Sequence, residues 1–315
     1  MLFNTLVGID GVISSEMSGA ELLVMGLCHT VLPKETGVAI TYQGESADEV
    51  AIITHAASRG LRLLRCNASA MTYSLRLGEG GENMEVQLDI LAVIGFSSDR
   101  KRMSILLREV GIKGHFSLPE SFVRPGAAFV ITKGADNVML PLCTSFDGAA
   151  AVQTAVDELS NRGLRTLVFG MRELDDEWLG EWAREWYIAK NDPETSQRYA
   201  DLASAVETGL HFVAVSAVED KLQDGVQECL RAFNRVGIKF WMLTGDKQQT
   251  ALSIARSTEM IKPSFRSLAL TMSNFTRLKQ LRRKMDDAEV IDEMVYNAVT
   301  EQLKEMPERE RLRYA

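Results

Sequence analysis

Thr244, Gly245 and Asp246, inside Met242–Ala255 (MLTGDKQQTALSIA), are three residues of this chain suited to meet a phosphate. They follow an apolar run and open a helical pattern. A helix N-terminus at such a turn offers unpaired N–H groups and a positive dipole. Gly245 lets the backbone approach closely, the Thr244 hydroxyl can donate to an oxyanion, and Asp246 can orient a metal, a water or an N–H. A T-G-D string by itself is also an ordinary turn. Lys133, in ITKGAD (Ile131–Asp136), ends an apolar strand pattern before two small residues. It is either a point charge for phosphate at a rim or a lysine ending a strand in solvent. Phe96, in GFSSDRKRMS (Gly95–Ser104), is either a core aromatic or a platform for a purine ring, a contact worth about 1–3 kcal/mol where bases stack on aromatics. Arg100, Lys101 and Arg102 beside it read as a solvated turn that would also attract phosphate. Asp48 and Glu49, in YQGESADEVA (Tyr42–Ala51), suit the first turn of a helix. A carboxylate there can instead accept a hydrogen bond from an exocyclic amine. Arg165, in GLRTL (Gly163–Leu167), is a strand cation, at the surface or against a nucleotide.

These residues need a scaffold, and the hydrophobic periodicity predicts one. Residues 16–33 read as a helix, and Val50–Ser58 as a second. The period then changes to two: Tyr73, Leu75 and Leu77 alternate, Gly78–Gly81 turns, and Met84, Val86, Leu88 and Ile90 alternate again, as in a hairpin. That strand runs on to Phe96, breaks at the charged turn Ser98–Arg102 and resumes at Met103–Leu107. Ala127–Thr132 and Gly163–Gly170 are further strands, and 174–206 is helical. Beyond His211 the pattern predicts an apolar strand (Phe212–Val218), a helix (Gly225–Val236), a second apolar strand (Ile238–Leu243) and a helix (Gln248–Ser257). That order is expected of a parallel βαβ unit, with a boundary near residue 208. The charged stretch 263–315 reads as a solvated helical tail.

Composition narrows the classes. The 315 residues carry 35 Lys+Arg against 43 Asp+Glu, a net charge of −8, which argues against a nucleic-acid partner. Apolar residues at 46% can fill ordinary cores, which argues against disorder. The longest stretch free of Asp, Glu, Lys and Arg is the 12 residues Leu22–Pro33. A spanning helix needs about 20 predominantly apolar residues, so these residues alone are expected to be soluble and cytoplasmic. Four scattered cysteines (Cys28, Cys66, Cys143, Cys229) lack metal spacing and read as reduced thiols.

The order of the motifs says more than any one of them. CHTVLP (Cys28–Pro33), YQGESADEVA, SSDRKRMS, TKGAD, GLRTL, VEDKLQDGV (Val218–Val226) and MLTGDKQQTALSIA follow one another as in P-type ATPases. Over residues 20–262 the chain resembles the phospholipid-translocating (flippase) branch, to which R-K-R-M-S and E-D-K-L-Q are particular. The resemblance implies an α/β chain: an α+β nucleotide-binding domain with an antiparallel sheet over 1–208, then a partial Rossmann-like, haloacid-dehalogenase-type phosphorylation domain over 209–262. It implies ATP, with Mg²⁺ accompanying the nucleotide. Glu49 then corresponds to the acid near the adenine and Phe96 to the ring stacked on it. Lys133 and Arg165 correspond to the basic residues holding the nucleotide. Thr244, Gly245 and Asp246 correspond to the loop beside the transferred phosphoryl group, and Asp220 to a position near the ribose and hinge.

There are departures. Where the family has Ala-Ser-Ser-Pro-Asp-Glu after Tyr-Gln, this chain has Gly44, Glu45 and Ala47 at three of those positions. Gly44-Glu45-Ser46 thereby imitates the dephosphorylation motif of the actuator domain, although its neighbours align with the nucleotide domain. The nucleophilic D-K-T-G-T string and the metal-binding G-D-G-x-N-D string do not occur. Asp10, within Gly8–Val12, is the nearest imitation of the nucleophile and reads as a turn residue. Phosphoryl transfer through a covalent intermediate needs that carboxylate, so these residues are expected to bind ATP without hydrolysing it. The partners implied are ATP and the actuator, phosphorylation and transmembrane parts of a pump at the cytosolic face of a membrane, with phospholipid met only through the membrane part. The alternative is a catalytically inactive flippase-like regulatory module that binds ATP, as in a fusion with a guanylate cyclase.

Overall fold

Among the described residues nine strands join in one sheet in the order β2-β1-β11-β10-β9-β8-β7-β6-β5, and every pairing is antiparallel. The computed structural model describes residues 2–7, 13–14, 19–36, 39–76, 83–113, 126–144, 146, 148–191, 196–219, 222–238, 240–244 and 248–261. The strands of this sheet are β1 (Leu2–Val7), β2 (Ile13–Ser14), β5 (Leu61–Cys66), β6 (Ala70–Arg76), β7 (Asn83–Ile94), β8 (Arg102–Lys113), β9 (Ala128–Gly134), β10 (Arg165–Leu174) and β11 (His211–Glu219). A separate hairpin pairs β3 (Leu32–Thr36) with β4 (Ala39–Gln43). The predicted hairpin is β6 against β7, with Tyr73 opposite Val86. The break at 98–102 separates β7 from β8, which pair with Ile94 opposite Ser104.

Alternation along the strands divides the core in two, because successive side chains point to opposite faces. One face carries Leu61, Leu63, Tyr73, Leu75, Ile105, Phe129, Ile131 and Phe169. It is covered by α1 (Gly19–Leu27) and α2 (Ala47–Ser58) through Leu23, Met25, Ile52, Ile53 and Ala56. The other face carries Ile94, Leu106, Val130, Val168 and Val215. It is covered by α4 (Ala149–Asn161), α5 (Asp176–Asn191) and α6 (Ser196–Val206), while α3 (Asp136–Met139) adds Met139. Helix α5 shows why its sequence is helical: Trp178, Trp182 and Trp186 recur every four residues on one side. Trp182 stacks on Trp186 at 4.9 Å and Trp186 on Tyr199 of α6 at 4.3 Å. The Trp182 indole N–H, which burial would otherwise leave unpaired, donates to the Leu202 carbonyl at 2.9 Å.

The structure departs from the sequence-based expectation after residue 208. Phe212–Val218, expected to open a parallel βαβ unit, is β11, held antiparallel between β1 and β10 inside the sheet. An all-apolar strand requires a neighbour on each edge and a covered surface on each face. It does not specify the direction of its neighbours. The second expected strand is not one: 240–244 has no regular structure, and Trp241 (87%) and Leu243 (92%) are exposed. Among the described residues no strand flanks this run, so no ladder forms, and Phe240 is half-buried against the Phe233 ring at 5.6 Å. Helix α7 (Val226–Arg235), which carries Phe233, is amphipathic yet has no fully buried residue. Helix α8 (Gln248–Ser257) forms as expected. Met1–Thr258 is one compact unit, and Glu259–Ala315 is a second, of which only 259–261 are described. The helical tail predicted for 263–315 therefore lies outside the described residues, as do Asp10, Asp220, Gly245 and Asp246.

Candidate functional site

Strand register brings Phe96, Lys133 and Arg165 of the predicted residues to one rim of the sheet. Strand β7 ends at Ile94, two residues before Phe96; β8 begins at Arg102, opposite Gly134 at the end of β9. Strand β10 begins at Arg165, and its Val168 lies opposite the same Gly134. Phe96, the turn after it, Lys133 and Arg165 therefore share the rim of four adjacent strands. Alternation sends Lys133 to the α1/α2 face and Thr132 to the other.

On the first face, α2 supplies the counter-charges. Ser46 caps the helix, its hydroxyl accepting from the Glu49 N–H at 3.3 Å, so that Asp48 and Glu49 fall in the first turn. Glu49 does not reach back to the cap, as the capping box would have it. One carboxylate oxygen accepts from the Lys133 ammonium at 2.8 Å. The other accepts from the Thr30 N–H at 2.8 Å and the Thr30 hydroxyl at 3.0 Å. Lys133 also donates to the Cys28 carbonyl at 2.6 Å. Each side chain of the pair is less than a tenth exposed. Next door, Arg165 pairs with Asp48 at 3.3 Å. Thus a lysine that the sequence allows at a solvent rim is a buried partner of the acid expected at the adenine.

Protonation follows from these contacts. Burial alone would raise the Glu49 pKa, but the Lys133 charge and the hydrogen bonds from Lys133 and Thr30 outweigh it and hold the carboxyl below its ordinary range. His29 is buried one residue before Thr30. Its Nδ1 accepts from the Val31 N–H at 2.9 Å, so the ring proton sits on Nε2 and is donated to the Tyr73 hydroxyl at 2.6 Å. Tyr73 in turn donates to the Gly26 carbonyl at 2.8 Å. Burial, reinforced by Lys133 and only partly opposed by Glu49, lowers the His29 pKa to about 3. Burial raises the Cys28 thiol to about 12, despite the nearby Lys133, so it is an inert core group. All four cysteines are free thiols.

The other face carries a charged cluster that the sequence does not signal. Glu207, immediately after α6, has no exposed side-chain surface. Its carboxylate accepts from Arg100, from the Arg102 Nε at 2.6 Å and from the Ser104 hydroxyl at 2.5 Å. Ser104 also meets the Thr132 hydroxyl at 2.9 Å. Arg100 and Arg102, read from sequence as a solvated turn, are mostly buried ion-pair partners. Only Lys101 between them is exposed. A glutamate more than a hundred residues away leaves no local mark on this turn.

Phe96 is 66% exposed, which decides against a core aromatic. Its loop is nonetheless held. The Lys101 N–H donates to the Ser97 carbonyl at 2.7 Å, and the Ala135 N–H to the Lys101 carbonyl at 3.1 Å. A Cβ at Gly134 would lie 2.5 Å from that carbonyl oxygen and 2.9 Å from the Arg102 Cα. The glycine of the K-G-A string is therefore what lets this loop lie against β9. Gly134→Ala should cost about 1–3 kcal/mol by overpacking, measurable as a lower denaturant midpoint. An unchanged midpoint would show that the contact relaxes freely.

The structure thus joins Glu49, Lys133 and, through Asp48, Arg165, with Phe96 on the same rim. Thr244 is exposed in the irregular stretch 240–244. Among the described residues no group of three or more His, Cys, Asp or Glu could hold a metal ion. Residues 22–225 match the family described as P-type ATPase, cytoplasmic domain N. The chain is 30% identical over 287 residues to probable phospholipid-transporting ATPase 4 of Arabidopsis thaliana, covering 88% of this chain and 22% of that protein. It is 32% identical to phospholipid-transporting ATPase 2 of the same plant, over 77% of this chain and 20% of that protein. It is 33% identical to a phospholipid-transporting ATPase of Schizosaccharomyces pombe, over 76% of this chain and 18% of that protein. It spans about a fifth of the length of the curated relatives it matches. On this match and the antiparallel sheet that carries its motifs, the chain belongs to the P-type ATPase family, with its similarity to the phospholipid-transporting branch.

Proposed function

We propose that this chain is the ATP-binding cytosolic portion of an ATP-driven phospholipid translocase, whose parent protein moves phospholipid between membrane leaflets. The observation that supports it best is an exposed aromatic on a held loop, sharing a rim with the Glu49–Lys133 pair. Phe96 would stack on the adenine. Glu49 accepts three hydrogen bonds and a carboxylate has about four acceptor sites, leaving one for the exocyclic amine. Lys133 uses two of its three protons, leaving one for an oxygen of the nucleotide. Arg165 would add positive charge, and Thr244, Gly245 and Asp246 would meet the phosphates. Mg²⁺ would arrive with the nucleotide and neutralise phosphate charge. The nucleotide-binding domain would include β11, because strands of its sheet flank β11 on both sides. Residues beyond it to 262 would be the first part of the phosphorylation domain, with 263–315 a charged tail. The partners would be the actuator, phosphorylation and membrane parts of the pump, on the cytosolic side.

Among the described residues no helix is long and apolar enough to cross a membrane, so any contact with lipid tails would come from other parts of the parent. Lacking D-K-T-G-T, the chain should bind ATP and release no phosphate. Phe96→Ala should weaken ATP binding by about 1–3 kcal/mol, roughly 5- to 150-fold, in isothermal titration at constant Mg²⁺. Because the ring is mostly exposed, thermal stability should barely change. Equal affinity in the variant would remove Phe96 from the site, and no ATP binding by the unaltered chain would refute the function itself.

A further inference from the structure

The Glu207 cluster is not needed to explain any contact assigned above, yet it ends on the loop that presents Phe96. The Arg100 guanidinium donates through Nη1 to the Gly95 carbonyl, the peptide oxygen immediately before Phe96, at 3.0 Å, and through Nη2 to Glu207. Arg102 spans the same turn, with Nε on Glu207 and Nη1 on the Arg100 carbonyl at 3.2 Å. The Arg100 N–H is held by the Ser97 hydroxyl at 3.3 Å. Residues 95, 100 and 102 are therefore tied directly or through one guanidinium to a single buried carboxylate, and Ser97 is tied to the Arg100 backbone. That carboxylate sits on the face opposite Lys133. An exposed ring has few packing contacts to fix it, so its orientation depends on the backbone beneath it.

We propose that Glu207 is a positioning residue for the nucleotide's base: through Arg100 and Arg102 it holds the 95–102 loop so that Phe96 is presented as a preformed stacking platform. The inference rests on the ATP-binding function proposed above and goes beyond it by assigning a role to a residue that touches no nucleotide. A platform held in advance loses less conformational freedom on binding, so its loosening should appear as lost affinity, and only where there is a ring to position.

A double-mutant cycle tests this in the 315-residue chain, with MgATP as the probe. Glu207→Gln keeps the shape and one acceptor oxygen but removes the charge. Arg100→Gln, at a site 18% exposed, removes the Gly95 tie while leaving Glu207 paired to Arg102, and serves if the buried variant does not fold. Each is expected to weaken MgATP binding about three- to tenfold, a part of what full loss of base stacking costs. In a Phe96→Ala background the same substitution is expected to change affinity less than twofold, because coupled residues are not additive. A structural role alone would lower the unfolding midpoint and leave the Phe96 coupling at zero. Losses that multiply independently of Phe96, or Glu207→Gln and Arg100→Gln chains that fold and bind MgATP as the unaltered chain does, overturn the positioning role and leave ATP binding intact. An unaltered chain that binds no MgATP overturns both.

Discussion

Lys133→Ala should lower the unfolding free energy by about 3–5 kcal/mol, because it leaves the Glu49 carboxylate buried beside an unfilled space and without its cation. Domains of this kind are stable by only about 5–15 kcal/mol, so the variant would lose a large share of its stability and unfold at a much lower denaturant concentration. The sequence suggests a different result, in which a rim lysine is removed, the fold is retained and only nucleotide affinity falls. The two outcomes separate in a denaturation curve recorded without ATP. If the midpoint of Lys133→Ala matches that of the unaltered chain, the pair is not the buried strut its geometry describes. A companion variant isolates the cause. Lys133→Met with Glu49→Gln removes both charges, keeps an acceptor for Thr30 and should recover much of the loss, since replacing a whole buried pair is far less costly than breaking it. No recovery would place the defect in side-chain packing instead of charge.

Acid should destabilise the unit well above the pH at which ordinary carboxylates titrate, and His29 should be the largest single cause. Its folded pKa is about 3 against an ordinary 6.5, so the unfolded chain takes up a proton that the folded chain refuses. The stability from this depression is fully present above pH 6.5 and is lost as pH falls from 6.5 towards 3. At pH 5 the loss is about 2 kcal/mol, and near pH 3 it approaches about 5 kcal/mol. Glu49 acts with the same sign lower down: its folded pKa is depressed, so its contribution is present above the ordinary 4.5 and fades as pH falls through the folded value. The check is unfolding free energy from pH 8 to 4 for the unaltered chain and for His29→Gln, whose amide oxygen can still accept from Val31. The variant should start less stable and show a much flatter curve between pH 6.5 and 5. Parallel curves would mean that His29 takes up its proton in the folded chain as readily as in the unfolded one.

Both predictions depend on contacts that join distant parts of the chain, and that is where sequence and structure part. The β6–β7 hairpin was legible because Tyr73, Leu75, Met84, Val86 and Leu88 alternate with period two around a glycine-rich turn. Helix α2 was legible from Asp48, Glu49 and the apolar run after them, and α5 from its tryptophans. Strand β5 left a weaker mark: Leu61 and Leu63 face the core, but Arg62 and Arg65 dilute the pattern. Strand β11 was legible as an apolar strand and mistaken in direction, because burial on both faces looks alike in parallel and antiparallel settings. Ile238–Leu243 shows the converse. An apolar run becomes a strand only where something pairs with it.

For the site, residue types and motif order determined which chemistry could be proposed: an aromatic that would stack on a base, cations and a helix-capped acid that would hold a nucleotide, and no D-K-T-G-T nucleophile. These are local properties, carried by a few adjacent residues and their spacing. Only the tertiary structure decided that Phe96 is exposed while Lys133 is buried, although both end apolar patterns in the sequence. It alone paired Lys133 with Glu49 and drew Arg100 and Arg102 onto Glu207. The reason is physical. Whether a charge near a strand end meets water or a counter-charge depends on which helix covers that face of the sheet. That is settled by packing between segments a hundred residues apart, for which a single sequence holds no local signal.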